Sequence, residues 1–199
     1  MYIVKTYKEL SNFDKDAFFC FLKKTSEYKD NASINMFSND KNGLIYILEN
    51  ENRFNDNQGE FHIVFSDDKI VGCGGIYKSA FSDQIAIGGV RTWVDPAFRN
   101  KGIIGSHLLP IHKEWAINNH CKIIALSFND YNKNLISIFK RIRLGETKHR
   151  IKDRSPRNLF FDNFNELDFP VNIQYTPQWV IFEKLDQKFE FDWTSLKCK

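Results

Sequence analysis

No segment of the 199-residue chain stays apolar long enough to cross a bilayer, so no membrane-spanning helix is expected. The start, Met1-Tyr2-Ile3-Val4-Lys5-Thr6, has no basic stretch followed by an apolar one, and no secretory leader is expected. Four cysteines, Cys20, Cys73, Cys121 and Cys198, stand far apart without a CxxC pair. That spacing argues against a disulfide framework and a zinc site, and for thiols in a reducing compartment. His62, His112, His120 and His149 have no ligand spacing, so no metal is expected. Charge of one sign is scarce too: 28 basic against 25 acidic side chains leaves +3, too small an excess to indicate a nucleic acid or a membrane as partner. A soluble, cytoplasmic protein is the expectation.

The informative stretch is Val94-Asp95-Pro96-Ala97-Phe98-Arg99-Asn100-Lys101-Gly102-Ile103-Ile104-Gly105-Ser106-His107-Leu108-Leu109. A β-branched run ends in Asp-Pro, a short basic loop with glycines follows, and an apolar helical period begins, which predicts a strand handing over to a helix. The first N–H groups of a helix have no intrahelical partner and lie at the positive end of its dipole. A phosphate can therefore be cradled there by main chain alone, with Arg99 and Lys101 adding charge. The spacing is neither the Walker pattern nor GxGxxG.

Val94-Asp95-Pro96 followed by Arg99-x-x-Gly102 resembles the acyl-CoA loop of the GNAT family of N-acetyltransferases, V-x-P and then R/Q-x-x-G-x-G/A. Ile104 stands where that family has Gly or Ala, and the small residue arrives one place later as Gly105. Either the loop is one residue out of the common register or Ile104 turns into the core. Asn132-x-x-Leu135-x-x-Ile138-Phe139 is similar to the family's later N-x-x-A-x-x-[LI]-Y word. The resemblance is firm from about Phe61 to Arg143. It implies an α+β fold with a mixed, mostly antiparallel central sheet, splayed parallel central strands and flanking helices. It also implies acetyl-CoA as co-substrate, while the length suits a single domain over 1–199, with or without an added subdomain, in which 1–60 and 144–199 are flanking parts. Contacts to that co-substrate are implied at Trp93, Val94, Arg99, Asn100, Lys101, Gly102, Ile103, Ile104, Gly105, Ser106 and Asn132.

Along the chain, Tyr2 to Tyr7 reads as a first strand. Asn12 or Asp14 is a candidate cap for a helix with Phe18, Phe21 and Leu22 on one face. The stretch from Asp30 to Gly59 is polar around an apolar run, Leu44 to Leu48. Phe61 to Phe65 and Ile70 to Tyr77 read as a hairpin about Ser66-Asp67-Asp68-Lys69, and Ser79 to Gln84 connects to a strand Ile85 to Val94. Pairing about the middle of that connection sets Gly74 and Gly75 opposite Gly88 and Gly89. This is either a bulge or room for a pantetheine arm or an acceptor. Ile104, Leu108, Ile111 and Trp115 form a helical stripe that Pro110 should kink. Lys122 to Phe128 is expected to run parallel to Ile85 to Val94, because a helix crosses between them. Asn132 to Arg143 reads as a second helix and Trp179 to Leu185 as a closing strand, with Pro177 marking an edge. Basic Gly145 to Arg157 reads as a solvated loop, or else as a phosphate or nucleic-acid contact.

Acyl transfer from a thioester to an amine needs a polarised carbonyl, a deprotonated amine and a departing thiolate. The family's usual thiol acid is a Tyr where this chain has Phe139; Tyr131, near the start of the same helix, is the substitute donor, with a capping or core aromatic as its other reading. A thiol is acidic enough that unassisted departure remains cheap. Arg91 stands in the neighbourhood of the family's Glu and either binds a carboxylate-bearing acceptor or forms a cross-strand ion pair. Asp130 and His107 are candidate water-relayed bases. The leading reading is an N-acetyltransferase acting on a primary amine of a small molecule or peptide. The alternatives are a GNAT-like acyl-CoA-binding protein without turnover and a basic nucleic-acid-binding module.

Overall fold

A computed structural model describes residues 1–25, 44–50, 54, 57–79, 82–129, 148–151, 178–186 and 188. Contacts divide the chain into two compact units, Met1–Tyr77 with Gly89–His112, and Lys78–Gly88 with Lys113–Lys199. Asp130, Tyr131, Asn132 and the helix expected from Asn132 to Arg143 lie outside the described residues.

In the first unit, β1 (Tyr2–Thr6) pairs antiparallel with β2 (Gly59–Ser66), from Tyr2 opposite Ser66 to Thr6 opposite His62. β2 pairs antiparallel with β3 (Lys69–Ser79) across the expected turn, where Asp67 takes the left-handed conformation (φ 53°). β4 (Ser82–Val94) is the next strand in the order. Phe61, Ile63, Val64, Phe65, Val71 and Cys73 are all buried, so β2 and β3 read as near-continuous apolar runs instead of alternating ones.

Helix α1 (Asn12–Thr25) buries Phe18, Phe21 and Leu22 at the spacing of one helical face. Phe18 meets the rings of Tyr7 and Phe61 at 6.0 and 6.1 Å, and Phe21 stands edge-on to Trp93 at 5.0 Å. Ser11 is the cap, in place of Asn12 or Asp14, for its Oγ accepts the Asp14 N–H at 3.1 Å. A capping oxygen serves the amide three residues on, and counted from Ser11 that amide is Asp14's. The apolar run at Leu44 forms α2 (Leu44–Asn50), where Glu49 accepts the buried Tyr7 hydroxyl at 2.8 Å.

The glycine pairs do not face each other as the sequence suggested. A Cβ on Gly74 would stand 2.6 Å from Thr92 Oγ1, and one on Gly75 would stand 2.7 Å from a Phe61 ring carbon and 3.1 Å from Phe54. Positive φ at Gly89 (70°) and Arg91 (50°) marks irregular backbone in β4, which breaks an even pairing about the middle of the connection. The space left by the missing side chains is filled by Thr92, Phe54 and Phe61, not held open for a ligand.

In the second unit, β4 runs parallel to β5 (Ile123–Asn129), with Ile85–Gly88 against Ile123–Leu126. The register ends at Gly88 although β4 continues to Val94, so the two strands are paired over only part of their lengths. β5 pairs antiparallel with β7 (Gln178–Lys184), which pairs antiparallel with β6 (Lys148–Ile151). All these ladders but β4–β5 are antiparallel, as expected for the fold class. Two expectations are corrected here. β7 is flanked on both sides, so the expected closing strand is not the edge of the sheet, Pro177 itself lying outside the described residues, and residues 148–151 of the basic stretch form a strand instead of a loop. Charged side chains are common on edge strands, where they discourage further pairing, so the charge pattern alone misled.

Between β4 and β5, a π-helix, Ile103–Leu108, leads into α3 (Leu109–Asn118). The kink expected at Pro110 takes the form of this change of helix type, since Pro110 brings no N–H to an ordinary helical ladder. No helix among the described residues is long and apolar enough to cross a membrane.

Because Gly75 faces rigid ring atoms, Gly75→Ala is expected to lower stability by about 1–3 kcal/mol. A lower urea midpoint with unchanged slope would show it.

Candidate functional site

The site is assembled from the end of β4 outward, all within the first unit. Asp95 donates its N–H to the Val71 carbonyl at 2.9 Å, which ties the last turn of strand to β3. Alternate amides of a strand face opposite neighbours, so the Val94 amide faces away from β3. Asp95 is only 6% exposed, and both of its carboxylate oxygens are engaged. Oδ1 accepts the Ala97 N–H at 2.9 Å, capping the 3-10 turn Pro96–Phe98, and Oδ2 meets Lys24 Nζ of α1 at 3.0 Å. Asp-Pro in the sequence carries the capping signal. Lys24 carries none, being 71 residues away.

Arg99 folds back over the strand. Its Nε donates to the Val94 carbonyl at 3.0 Å, and its guanidinium lies 5.7 Å from the centre of the Trp93 ring. Lys101 is exposed, with Nζ 4.7 Å from the Phe98 ring. Asn100 (φ 63°) and Gly102 (φ 79°) are both left-handed. Asn is the side chain that tolerates this conformation best after Gly, and alternating handedness turns successive N–H groups toward one side.

Ile103 then anchors the helix start. It is buried with Val64, Val71, Val94 and Leu108, and Ile104 packs against the same cluster. Of the two alternatives for Ile104, the one observed is that it turns toward the core. The first helical bond of this turn runs from Ser106 N–H to the Gly102 carbonyl at 2.7 Å, and the π-helix ends with Leu109 N–H on the Ile104 carbonyl, five residues back. The amides of Ile103, Ile104 and Gly105 precede that first bond and have no carbonyl of the same helix behind them. The turn is a wide one of the π type, a form frequent at functional sites.

Trp93, Val94 and the run from Arg99 to Ser106 are thus brought together. Arg91 stands earlier on β4, half-buried, with its carbonyl 4.0 Å from the Cys73 thiol. Burial pushes that thiol's pKa well up, against the pull of the Trp93 amide. His107 is half-buried with its ring 5.1 Å from Tyr2 in an edge contact. Among the described residues no cluster of His, Cys, Asp or Glu could hold a metal ion.

A strand-to-helix turn whose first amides have no partner within the helix, with cations beside it, suits an anionic ligand, and the acetyltransferase (GNAT) family model matches residues 19–143, more than half of the chain. The chain belongs to the GNAT acetyltransferase family. GNAT acetyltransferases take their acetyl group from acetyl-CoA.

Solved structures agree on the GNAT fold. A putative acetyltransferase, yncA, from Salmonella typhimurium, solved with its cofactor acetyl-CoA, superposes with a TM-score of 0.63 at 11% identity, covering 96% of this chain and 98% of that one. An acetyltransferase from Streptococcus agalactiae gives 0.62 at 17% identity over 92% and 98% of the two chains. A GNAT-family acetyltransferase from Staphylococcus aureus gives 0.59 at 17% identity over 94% and 100%. No curated protein matches the chain.

Asp95 braces the loop through the Ala97 amide and Lys24. Asp95→Ala removes a cap and a buried acceptor, and is expected to cost about 1–2 kcal/mol. Lys24→Met should cost less than about 1 kcal/mol, because Lys24 is half exposed. Urea denaturation of the two variants gives the comparison.

Proposed function

We propose that this chain is an acetyl-CoA-dependent N-acetyltransferase acting on a primary amine of a small molecule or peptide. The observation that carries the reading is the Gly102 turn: a left-handed glycine, a helix start whose first amides are unclaimed within the helix, and Arg99 and Lys101 beside it. The residues fit the donor, for a diphosphate needs convergent N–H groups and positive charge, and the carboxylate closest in sequence, Asp95, is capped inward and paired to Lys24.

Acetyl-CoA supplies, when bound, an acetyl group activated as a thioester. The chain's part is to hold and orient. Arg99, Asn100, Lys101, Gly102, Ile103, Ile104, Gly105 and Ser106 would hold the diphosphate. Val94, with its amide turned from β3, and Trp93 would line the pantetheine, and Asn132 would complete the contacts. Arg91 would pair with a carboxylate on the acceptor. Asp130, through a water, would take the amine proton, and Tyr131 would give a proton to the departing thiol. Residues 1–199 would form one acyltransferase domain; β4 and α3 each run from one compact unit into the other.

Magnitudes favour main chain over side chain in donor binding. A hydrogen bond to a charged group contributes about 1.5–3 kcal/mol. An exposed lysine contributes roughly 0–1 kcal/mol. A side chain at Gly102 would be strained at φ 79° and would stand 3.1 Å from Ser106 Oγ, so it would turn several amides at once. Gly102→Val is therefore expected to weaken acetyl-CoA binding by more than about tenfold, and Lys101→Ala by less than about fivefold, at about 1.4 kcal/mol per tenfold. Calorimetry measures both, and equal losses would contradict the main-chain cradle. Turnover is tested by thiol release against a panel of amines. Release that depends on the amine supports the reading, whereas acetyl-CoA binding with no release from any amine would make the chain a binding protein.

A further inference from the structure

The first unit contains a second polar cluster, buried between α3 and the sheet. Gly74 on β3 lies opposite His62 on β2, and Thr92 Oγ1 of β4 leans over the place where a Gly74 Cβ would stand, at 2.6 Å. His112 of α3, 0% exposed, covers this spot with Nε2 3.4 Å from the Gly74 carbonyl and its ring centre 5.3 Å from that of His62. His62 Nε2 reaches Glu60 at 3.1 Å. The remaining polar atoms, His62 Nδ1, His112 Nδ1 and Thr92 Oγ1, are buried without a hydrogen-bond partner.

This arrangement selects one state of His112. A carbonyl only accepts, so the nitrogen facing Gly74 must carry the hydrogen, and Nδ1 is then a bare acceptor in a neutral ring. A second proton would sit on Nδ1, which is buried without a hydrogen-bond partner, in a ring whose centre lies 5.3 Å from that of His62. Burial first, and His62 second, hold the His112 pKa down to about 3, the Gly74 carbonyl opposing them. The groups that face the pair are His62 and Glu60 from β2, Glu9 from the turn after β1, which interacts with His62, the Gly74 carbonyl from β3 and Thr92 from β4.

The position of the ring gives it a consequence for the donor site. His112 belongs to the helix that follows the Gly102 turn, and it meets the same Gly74 that Thr92, the residue before Trp93 and Val94, leans over. We propose that His112 is a positioning residue that seats this helix on β3 only while its ring is uncharged, so that acidification loosens the helix and weakens acetyl-CoA binding. The inference rests on the reading of the Gly102 turn as the diphosphate site.

The sign follows from linkage. An opened His112 takes a proton near pH ~6.5, the ordinary value. The seated ring does so only near pH 3, so between these values the opened form binds more protons. The seated state is thus fully favoured above pH ~6.5, and its ratio to the opened state falls about tenfold by pH 5.5.

His112→Gln keeps an amide donor for the Gly74 carbonyl and does not titrate. Between pH 7.5 and 5.5 the unsubstituted protein is expected to lose thermal midpoint and up to about tenfold in acetyl-CoA affinity, and H112Q distinctly less of both. Parallel pH profiles for the two proteins would overturn the role of His112 while leaving the donor site intact. Absence of acetyl-CoA binding at pH 7.5 in the unsubstituted protein would instead sink the diphosphate reading, and this proposal with it. Should H112Q fail to fold, imidazole nitrogen resonances of the unsubstituted protein decide. The ring is expected to be neutral and Nε2-protonated at pH 7.5 and to gain its second proton over the interval in which acetyl-CoA affinity falls, and a ring that stays neutral through that fall overturns the proposal.

Discussion

The chain must leave the end of β4, reverse, and enter a helix without closing that helix's first amides onto itself. Every feature of the site follows from this requirement. Left-handed backbone at Asn100 and Gly102 turns the loop, the buried Ile103 fixes where the helix begins, and the first helical bond is deferred to Ser106. What remains is a set of donors at the positive end of a helix, held by packing that does not depend on a ligand.

The supports of that turn are drawn from distant parts of the sequence. Lys24 on α1 closes on Asp95, Val71 on β3 takes the Asp95 amide, and Val64 on β2 joins the Ile103 cluster. Exposed Arg99 is itself partly structural, since its Nε is committed to the Val94 carbonyl. Rigid support matters because a donor group placed in advance costs no reorganisation when charge arrives. In the proposed reading the weight of donor binding therefore falls on main chain, and side-chain charge refines it.

Local signals were legible in the amino-acid sequence. The Phe18, Phe21 and Leu22 stripe, the Asp67 turn and the strand–loop–helix order at Val94 each lie within a few residues, and the structure contains all three. Features that depend on register were not. An uninterrupted ladder would set Gly74 against Gly89, but positive φ at Gly89 and Arg91 breaks it and leaves Thr92 over Gly74. The strand Lys148–Ile151 was hidden by its charges, and the Lys24–Asp95 contact by its separation in sequence. The His62–Gly74–His112 cluster needs three elements to be placed before it can be seen. Patterns within one element report secondary structure, whereas pairings between elements are decided by tertiary packing.

The central claim concerns backbone amides, and backbone amides can be observed one by one. Titration of nitrogen-15-labelled protein with CoA is expected to move the amide resonances of Ile103, Ile104 and Gly105 from the first additions, in step with one another and with a single dissociation constant. Saturating CoA that leaves those three amides in place, while resonances elsewhere in the chain shift, would contradict the cradle at Gly102.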